Sequence, residues 1–202
     1  QAILDHIADT GGVRGSIGAA NTVFRGDGGG LIATNTDAAG FWAPLSETEF
    51  ADQPIVVIGA GGAARAVLFA LSRVGVGPVT ILNRNVLKAA ALLAQFGLMG
   101  HALPIAASLP PASLIVNASA LGMAGQPPLD LDLSGQPDDC IVYDLVYSPL
   151  ETGLLATARG RDLDTIDGLE MLIGQAAVAF ELFFGAAPPR DRDDELRALL
   201  TA

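Results

Sequence analysis

The run IVVIGAGGAARAV, Ile55 to Val67, constrains the fold more than any other part of the chain. Its apolar start reads as a buried strand, its glycines as a tight turn and its alanine-rich end as the opening of a helix. Gly59, Gly61 and Ala64 fit the G-x-G-x-x-G/A spacing of dinucleotide-binding turns. Gly59 permits the turn, Gly61 lets backbone approach a pyrophosphate, and small Ala64 lets the helix pack close to the strand. A helix beginning near Gly62 aims unpaired N–H groups and its positive dipole end at phosphate. A glycine turn alone is weak evidence, but here an apolar strand precedes it, an apolar helix follows, and another strand, VTILNR, comes next.

That second strand distinguishes between cofactors. NAD-binding chains place a carboxylate about 20 residues beyond the glycine turn, where it accepts from the ribose 2′-hydroxyl. This chain has Asn83-Arg84 there, with Lys88 one helical turn on. A carboxylate repels a 2′-phosphate, whereas a guanidinium pairs with it through two parallel hydrogen bonds. NADP is therefore the predicted cofactor. Arg84 as an ordinary solvated cation is the rival reading, and it accounts less well for the missing acid.

Strand-like runs PIVVIG, PVTILN, HALPI, SLIVNAS and CIVYDLVY alternate with helical segments AARAVLFALSRVG and VLKAAALLAQFG. Leu68, Leu71 and Val74 lie on one side of the first helix, and Gly97 ends the second. Apolar strands alternating with helices predict a parallel sheet covered on both faces, hence an α/β, Rossmann-like domain. A short strand, DTIDG, precedes the long apolar helix GLEMLIGQAAVAFELFFG, and PPRDRDDELRALL closes the chain as a charged turn and an amphipathic helix. Before this core, QAILDHIAD reads as a short helix. SIGAANTVFR and LIATNT read as strands of a hairpin around GDGGG. Two strands and one helix cannot close a core alone, so this zone is expected to be the remainder of something larger, with an unpaired sheet edge.

Composition narrows the partners. Of 202 residues only 16% are charged, yet no apolar run reaches the roughly 18 residues of a membrane span. The net charge of -11 opposes nucleic acid. One cysteine, Cys140, excludes an internal disulfide and reads as a small buried hydrophobe. His6 and His101 lack metal-ligand spacing, so no metal is expected. A cytoplasmic protein is expected.

Polar clusters mark the reacting end: GAANT (Gly18 to Thr22), TNTD (Thr34 to Asp37), and YDLVYSP with DGLEMLIGQAA. On local grounds Asn21 and Asn35 serve equally well as turn residues and Gln175 as a polar tooth on a buried helix. Asp37 is a helix cap as readily as a catalytic carboxylate. Together, however, IGAANTV, NTDAAGF, GAGGAARA, LNR, NASALGM, YDLVYSPLETGLL and DGLEMLIGQAAVAF resemble, in order and over essentially the whole chain, the shikimate dehydrogenases.

The resemblance implies NADPH-dependent reduction of 3-dehydroshikimate to shikimate, in aromatic amino-acid biosynthesis. It implies substrate contacts from Asn21, Thr36, Asp37, Tyr147 and Gln175, with Asp37 orienting proton transfer. Gly59, Gly61, Gly62, Ala63, Asn83, Arg84 and Lys88 are expected to hold NADP, with Leu145, Gly168 and Met171 near the nicotinamide. Residues 1–37 are then the remainder of the substrate domain, 38–167 the Rossmann-like NADP domain, and 168–202 helices returning to the substrate domain.

Departures from the family pattern set further expectations. The family's catalytic lysine lies in an N-V-T-x-P-x-K block, which this sequence lacks; QAILDH resembles the segment just after it. An early serine pair that holds the substrate carboxylate is also missing. Ser119-Ala120 replaces Thr-Ser in NASALGM. The 202 residues alone are expected to bind NADP with very little turnover, and a preceding segment, or one supplied in trans by another chain, to restore the enzyme; a homodimer is the other partner expectation. The alternatives are a quinate or dual quinate/shikimate dehydrogenase and a non-catalytic NADP-binding module.

Overall fold

The protein is described by a computed structural model in which residues 7–9, 13–26 and 28–201 are placed. Among these residues, Ile55–Ile58 (β4), Val79–Asn83 (β5), Gly100–Pro104 (β6), Leu114–Asn117 (β7), Ile141–Asp144 (β8) and Asp164–Ile166 (β9) form one parallel sheet. Its order is β6-β5-β4-β7-β8-β9. Numbered from β4, this is the 3-2-1-4-5-6 order of doubly wound dinucleotide-binding sheets. The sheet reverses direction of winding between β4 and β7, and a crevice opens beyond the strand ends there.

Burial follows from the apolar runs. All four residues of β4 and all four of β7 are buried, because helices cover both faces. On one face Gly62–Val74 (α3) and Val86–Phe96 (α4) pack with Ile55, Val57, Ile81 and Val116. On the other, Val56, Ile58, Ile115 and Cys140 pack with Gly153–Arg159 (α5). Cys140 is fully enclosed, and burial, then the Asp139 charge, pushes its thiol up to about 11. Left-handed Gly97 ends α4, its N–H donating to the Ala94 and Leu93 carbonyls.

A second, three-stranded sheet holds Ala8–Asp9 (β1), Thr22–Arg25 (β2) and Leu31–Thr34 (β3) in the order β1-β3-β2. The hairpin β2–β3 is antiparallel, with Thr22 opposite Thr34, as the glycine turn predicts. The long C-terminal helix Gly168–Phe184 (α6) crosses Asp37–Trp42 (α2) and leans on β2. The crossing is close: a Cβ on Gly40 would lie 2.5 Å from the Gln175 nitrogen. Asp193–Leu200 (α7) ends the described chain, and Arg197 pairs with Asp167 and Glu170 at the start of α6.

Several local expectations change. In the stretch expected as helix, Ala8–Asp9 pair parallel with Ile32 and Ala33 as a strand, while residues 1–6, His6 included, lie outside the described residues. The strand expected from Ser16 starts only at Thr22, because Val13–Ile17 form a helical turn (α1) that left-handed Gly18 terminates. Val74 is 38% exposed; the buried face of α3 rotates instead through Ala64, Val67, Leu68 and Leu71. Helix α5 has no counterpart among the expected elements. Thr152 caps it by accepting from the Leu155 N–H, and Leu154, Leu155 and Ala158 form its buried face.

Candidate functional site

Three adjoining hollows line the ends of the central strands. The first, of about 440 Å³, lies over the glycine turn between the ends of β4, β5 and β7. Gly59 adopts φ 105°, and a Cβ there would sit 2.9 Å from the Ala118 carbonyl oxygen, so the turn admits only glycine. Gly61, which caps α3, faces open space in which a Cβ would meet nothing within 4 Å. The first intrahelical bond of α3 runs from the Arg65 N–H to the Gly61 carbonyl at 3.2 Å, so the N–H groups of Gly62, Ala63 and Ala64 have no intrahelical acceptor at this end of the helix. Ala64 is fully buried against the sheet, as its small size requires.

Asn83, Arg84 and Lys88 form the far wall of this hollow. The Asn83 side chain donates to the Asn85 carbonyl at 2.8 Å, and the Asn85 side chain accepts from the Lys88 N–H at 3.0 Å. That cap starts α4 directly after the strand and places Lys88 beside Arg84 on one wall. Among the described residues no carboxylate lines it, although the chain carries 22 acidic residues against 11 basic ones. Shape and charge thus suit a dinucleotide with an extra phosphate.

A middle hollow of about 410 Å³ shares Ala118, Ser119 and Ala120 with the first and runs to Leu145 and Tyr147. The third, about 320 Å³, shares Ala63, Leu145 and Tyr147 with the middle one and adds Asn21, Asp37, Met171 and Gln175. These shared walls set the three hollows side by side from Arg84 to Asp37. Gly168 fixes the floor of the third: a Cβ there would lie 2.4 Å from the Leu145 carbonyl oxygen, which keeps Leu145, Gly168 and Met171 together. Tyr147 is 57% exposed at the rim.

The polar end is held by side chains. Asn21 donates to Asp37 Oδ1 at 2.8 Å and to Thr36 Oγ1 at 3.0 Å, and its own oxygen accepts from the Thr36 N–H at 2.9 Å. The Thr36 hydroxyl donates to Gln175 Oε1 at 3.1 Å, tying this loop to α6. Asn35 makes the turn, accepting from the Asp37 N–H and donating to the Ala19 carbonyl. Thr36, not Asp37, occupies the cap position of α2, and Asp37 enters the first helical turn with its carboxylate facing the third hollow. Burial raises the Asp37 carboxyl above its ordinary value, and the Asn21 hydrogen bond offsets part of that rise. Of the residues expected to touch substrate, Asn21, Asp37, Tyr147 and Gln175 share this hollow. Thr36 stands behind the wall, almost fully buried, and acts on the two amides.

Sequence reasoning passed over Gln126 and Pro127, which line the first hollow, and the buried cluster beneath the middle one. In that cluster Asn117 donates to Asp144 at 2.8 Å, Thr152 donates to the same carboxylate at 2.7 Å, and the Val146 N–H donates at 3.0 Å. The Ser119 hydroxyl donates to Asn117 at 2.7 Å, so it belongs to this scaffold. Burial raises the Asp144 carboxyl despite these donors. The available signal was position: Asn117 and Asp144 are the last residues of neighbouring strands.

A fingerprint turn at the switch point of a doubly wound sheet, opening onto a carboxylate-bearing polar pocket, defines a dinucleotide-dependent oxidoreductase. Two family profiles match the chain: Shikimate / quinate 5-dehydrogenase over residues 44–117 and the Shikimate 5'-dehydrogenase C-terminal domain over residues 168–193. A shikimate dehydrogenase (NADP(+)) of Sphingopyxis alaskensis is 67% identical over 201 residues, covering 100% of this chain and 73% of the relative. Shikimate 5-dehydrogenase of Thermus thermophilus, solved with NADP(H) and shikimate, superposes with a TM-score of 0.80 at 37% identity, covering 93% of this chain and 70% of that one. Quinate dehydrogenase of Corynebacterium glutamicum, solved with NAD, superposes at 0.81 with 32% identity, covering 95% and 72%. The chain belongs to the shikimate dehydrogenase family. Among the described residues no helix is long and apolar enough to cross a membrane.

Proposed function

We propose that the protein interconverts 3-dehydroshikimate and shikimate with NADPH and NADP⁺. One observation carries this reading: adjoining hollows with shared walls run from the Arg84–Lys88 wall to the Asn21, Asp37, Tyr147 and Gln175 pocket. In this reading Gly59, Gly61, Gly62 and Ala63 hold the pyrophosphate, and Asn83, Arg84 and Lys88 the 2′-phosphate. Leu145, Gly168 and Met171 flank the nicotinamide. The cofactor, when bound, supplies the hydride for the ketone carbon. Asn21, Gln175 and Tyr147 hold the ring hydroxyls, since amides and a phenol both donate and accept. Asp37 orients the proton transfer to the ketone oxygen and balances the positive charge of the group that delivers it. The lobes divide accordingly: residues 1–37 and 168–202 serve substrate, and 38–167 serve the cofactor. The packing of α6 on β2 supports grouping the C-terminal helices with residues 1–37, and α2, which packs on both α6 and α3, joins the two lobes.

The test is NADP⁺ reduction by the protein expressed from its complete gene, with shikimate and quinate in parallel and NADPH binding titrated by fluorescence. Turnover with shikimate exceeding that with quinate is expected. Preference for quinate assigns the sister activity, and NADPH binding without turnover on either substrate overturns the catalytic reading.

A further inference from the structure

We infer that Arg65 is a positioning residue: together with Gln95 it clamps the chain segment that carries Asn21 onto the nucleotide-binding helices. Arg65 Nη1 donates to the Ile17 carbonyl at 2.9 Å and to Gln95 Oε1 at 2.8 Å, while Gln95 Nε2 donates to the Ser16 carbonyl at 3.0 Å. These carbonyls end α1, where no intrahelical donor remains, so a guanidinium is the favoured partner. Gly18 follows at φ 69°, and a Cβ on it would sit 3.3 Å from Arg65 Nη1; the chain turns directly against the guanidinium. The next links are already fixed. Asn35 holds the Ala19 carbonyl, the Asn21 N–H donates to the Thr34 carbonyl at 3.1 Å, and the Asn21 side chain reaches Asp37.

Arg65 lies in the first turn of α3, two residues after Ala63, and Gln95 lies near the end of α4. The clamp therefore references Asn21 and Asp37 to the same helix that cradles the dinucleotide. Sequence separations of 48 and 79 residues make it a tertiary device rather than local capping. Without it the segment from Ile17 to Asn21 loses its polar tie to α3 and α4 and is held by the buried Ile17 side chain, the Asn35 bond to the Ala19 carbonyl and its Asn21 end. The pocket then keeps its groups but loses their placement relative to the nicotinamide.

The kinetic part of this inference rests on the dehydrogenase reading; the structural part does not. Arg65→Met keeps the aliphatic stem and removes every donor, and Arg65→Lys returns one cationic donor. In Arg65→Met the shikimate KM should rise about tenfold and kcat fall, the scale of one or two lost charge-assisted hydrogen bonds. The NADP⁺ Kd and the melting temperature should stay near wild type, and Arg65→Lys should recover part of the loss. In hydrogen exchange the Asn21 amide should open about tenfold faster in Arg65→Met while Val56 and Ile58 are unaffected. Unchanged exchange at Asn21 overturns the clamp. So does a parallel loss of NADP⁺ affinity, melting temperature and shikimate affinity that lysine does not relieve, since that is general destabilisation. If wild type fails to turn over shikimate, the functional reading fails separately and the exchange result alone decides the clamp.

Discussion

The six-stranded sheet buries apolar side chains on both faces, whereas the three-stranded sheet leaves Leu31 49% exposed and places its functional groups through a chain of side-chain hydrogen bonds. In the first region the nucleotide cradle proposed above is backbone: the path of Gly59 to Ala63 and the dipole end of α3. In the second, Asn21, Thr36, Asp37 and Gln175 form one hydrogen-bonded network, on which the proposed recognition of substrate rests. Backbone cradles tolerate many side-chain changes as long as the sheet beneath stays packed. Polar networks fail one residue at a time, and they fail in function before stability.

Asp37→Asn should separate the two kinds of construction most sharply. It keeps the oxygen that accepts from Asn21 but loses the charge, so kcat should fall about 10²–10⁴-fold while NADPH binding is retained. Stability should move the other way. Because burial raises the folded-state carboxyl, the folded protein holds this proton more tightly than the unfolded chain, and stability drops as pH rises from the ordinary 3.8 through the raised value. Asparagine removes that loss, so the variant should melt higher at neutral pH and the gain should vanish near pH 3.8. A variant that melts lower at neutral pH would contradict this account of Asp37. In the large sheet, Leu114→Ala should cost about 2–5 kcal/mol in denaturant unfolding, whereas Leu31→Ala should stay within about 0.5 kcal/mol.

Arg84→Ala should weaken NADP⁺ binding by about 10- to 100-fold, as expected for a charge-assisted bidentate contact, and leave NAD⁺ binding nearly unchanged. An equal loss for both cofactors would mean that Arg84 supports the strand end rather than reads the 2′-phosphate. The smallest effect concerns Tyr143. It is fully buried, stacked on Phe41 with centroids 5.3 Å apart, and its hydroxyl has no hydrogen-bond partner among the described residues. Tyr143→Phe removes an unsatisfied donor without opening a cavity, so it should stabilise the protein by about 1 kcal/mol, read as a rise in melting temperature.

What the sequence made legible was local. The glycine fingerprint, the absent acid at Asn83-Arg84 and the alternating strands and helices each express one element's geometry, and the structure has them where expected. Helix α5 escaped because its seven residues are too few to show a helical period; only the Thr152 cap announces it. Val74 misled because the period-of-three pattern from Leu68 drifts off the buried face by the end of the helix. The links between Arg65 and Ile17, Thr36 and Gln175, and Asn117 and Asp144 join residues that only tertiary folding brings together. The family resemblance pointed to Asn21, Asp37, Tyr147 and Gln175 as a set; composition and spacing alone left each with an ordinary structural role.

Cys140 gives the molecule a built-in clock. It is the only thiol in the chain, fully enclosed among the side chains beneath the large sheet, and its thiolate is disfavoured up to about pH 11. Since the thiolate is the species that reacts, a thiol-specific dye should ignore the native protein and label it only when this core opens. The labelling rate at neutral pH then reports how often the nucleotide-binding half comes apart, without added denaturant. Adding NADPH should slow that clock in proportion to its occupancy, giving cofactor affinity from a reaction far from the hollows.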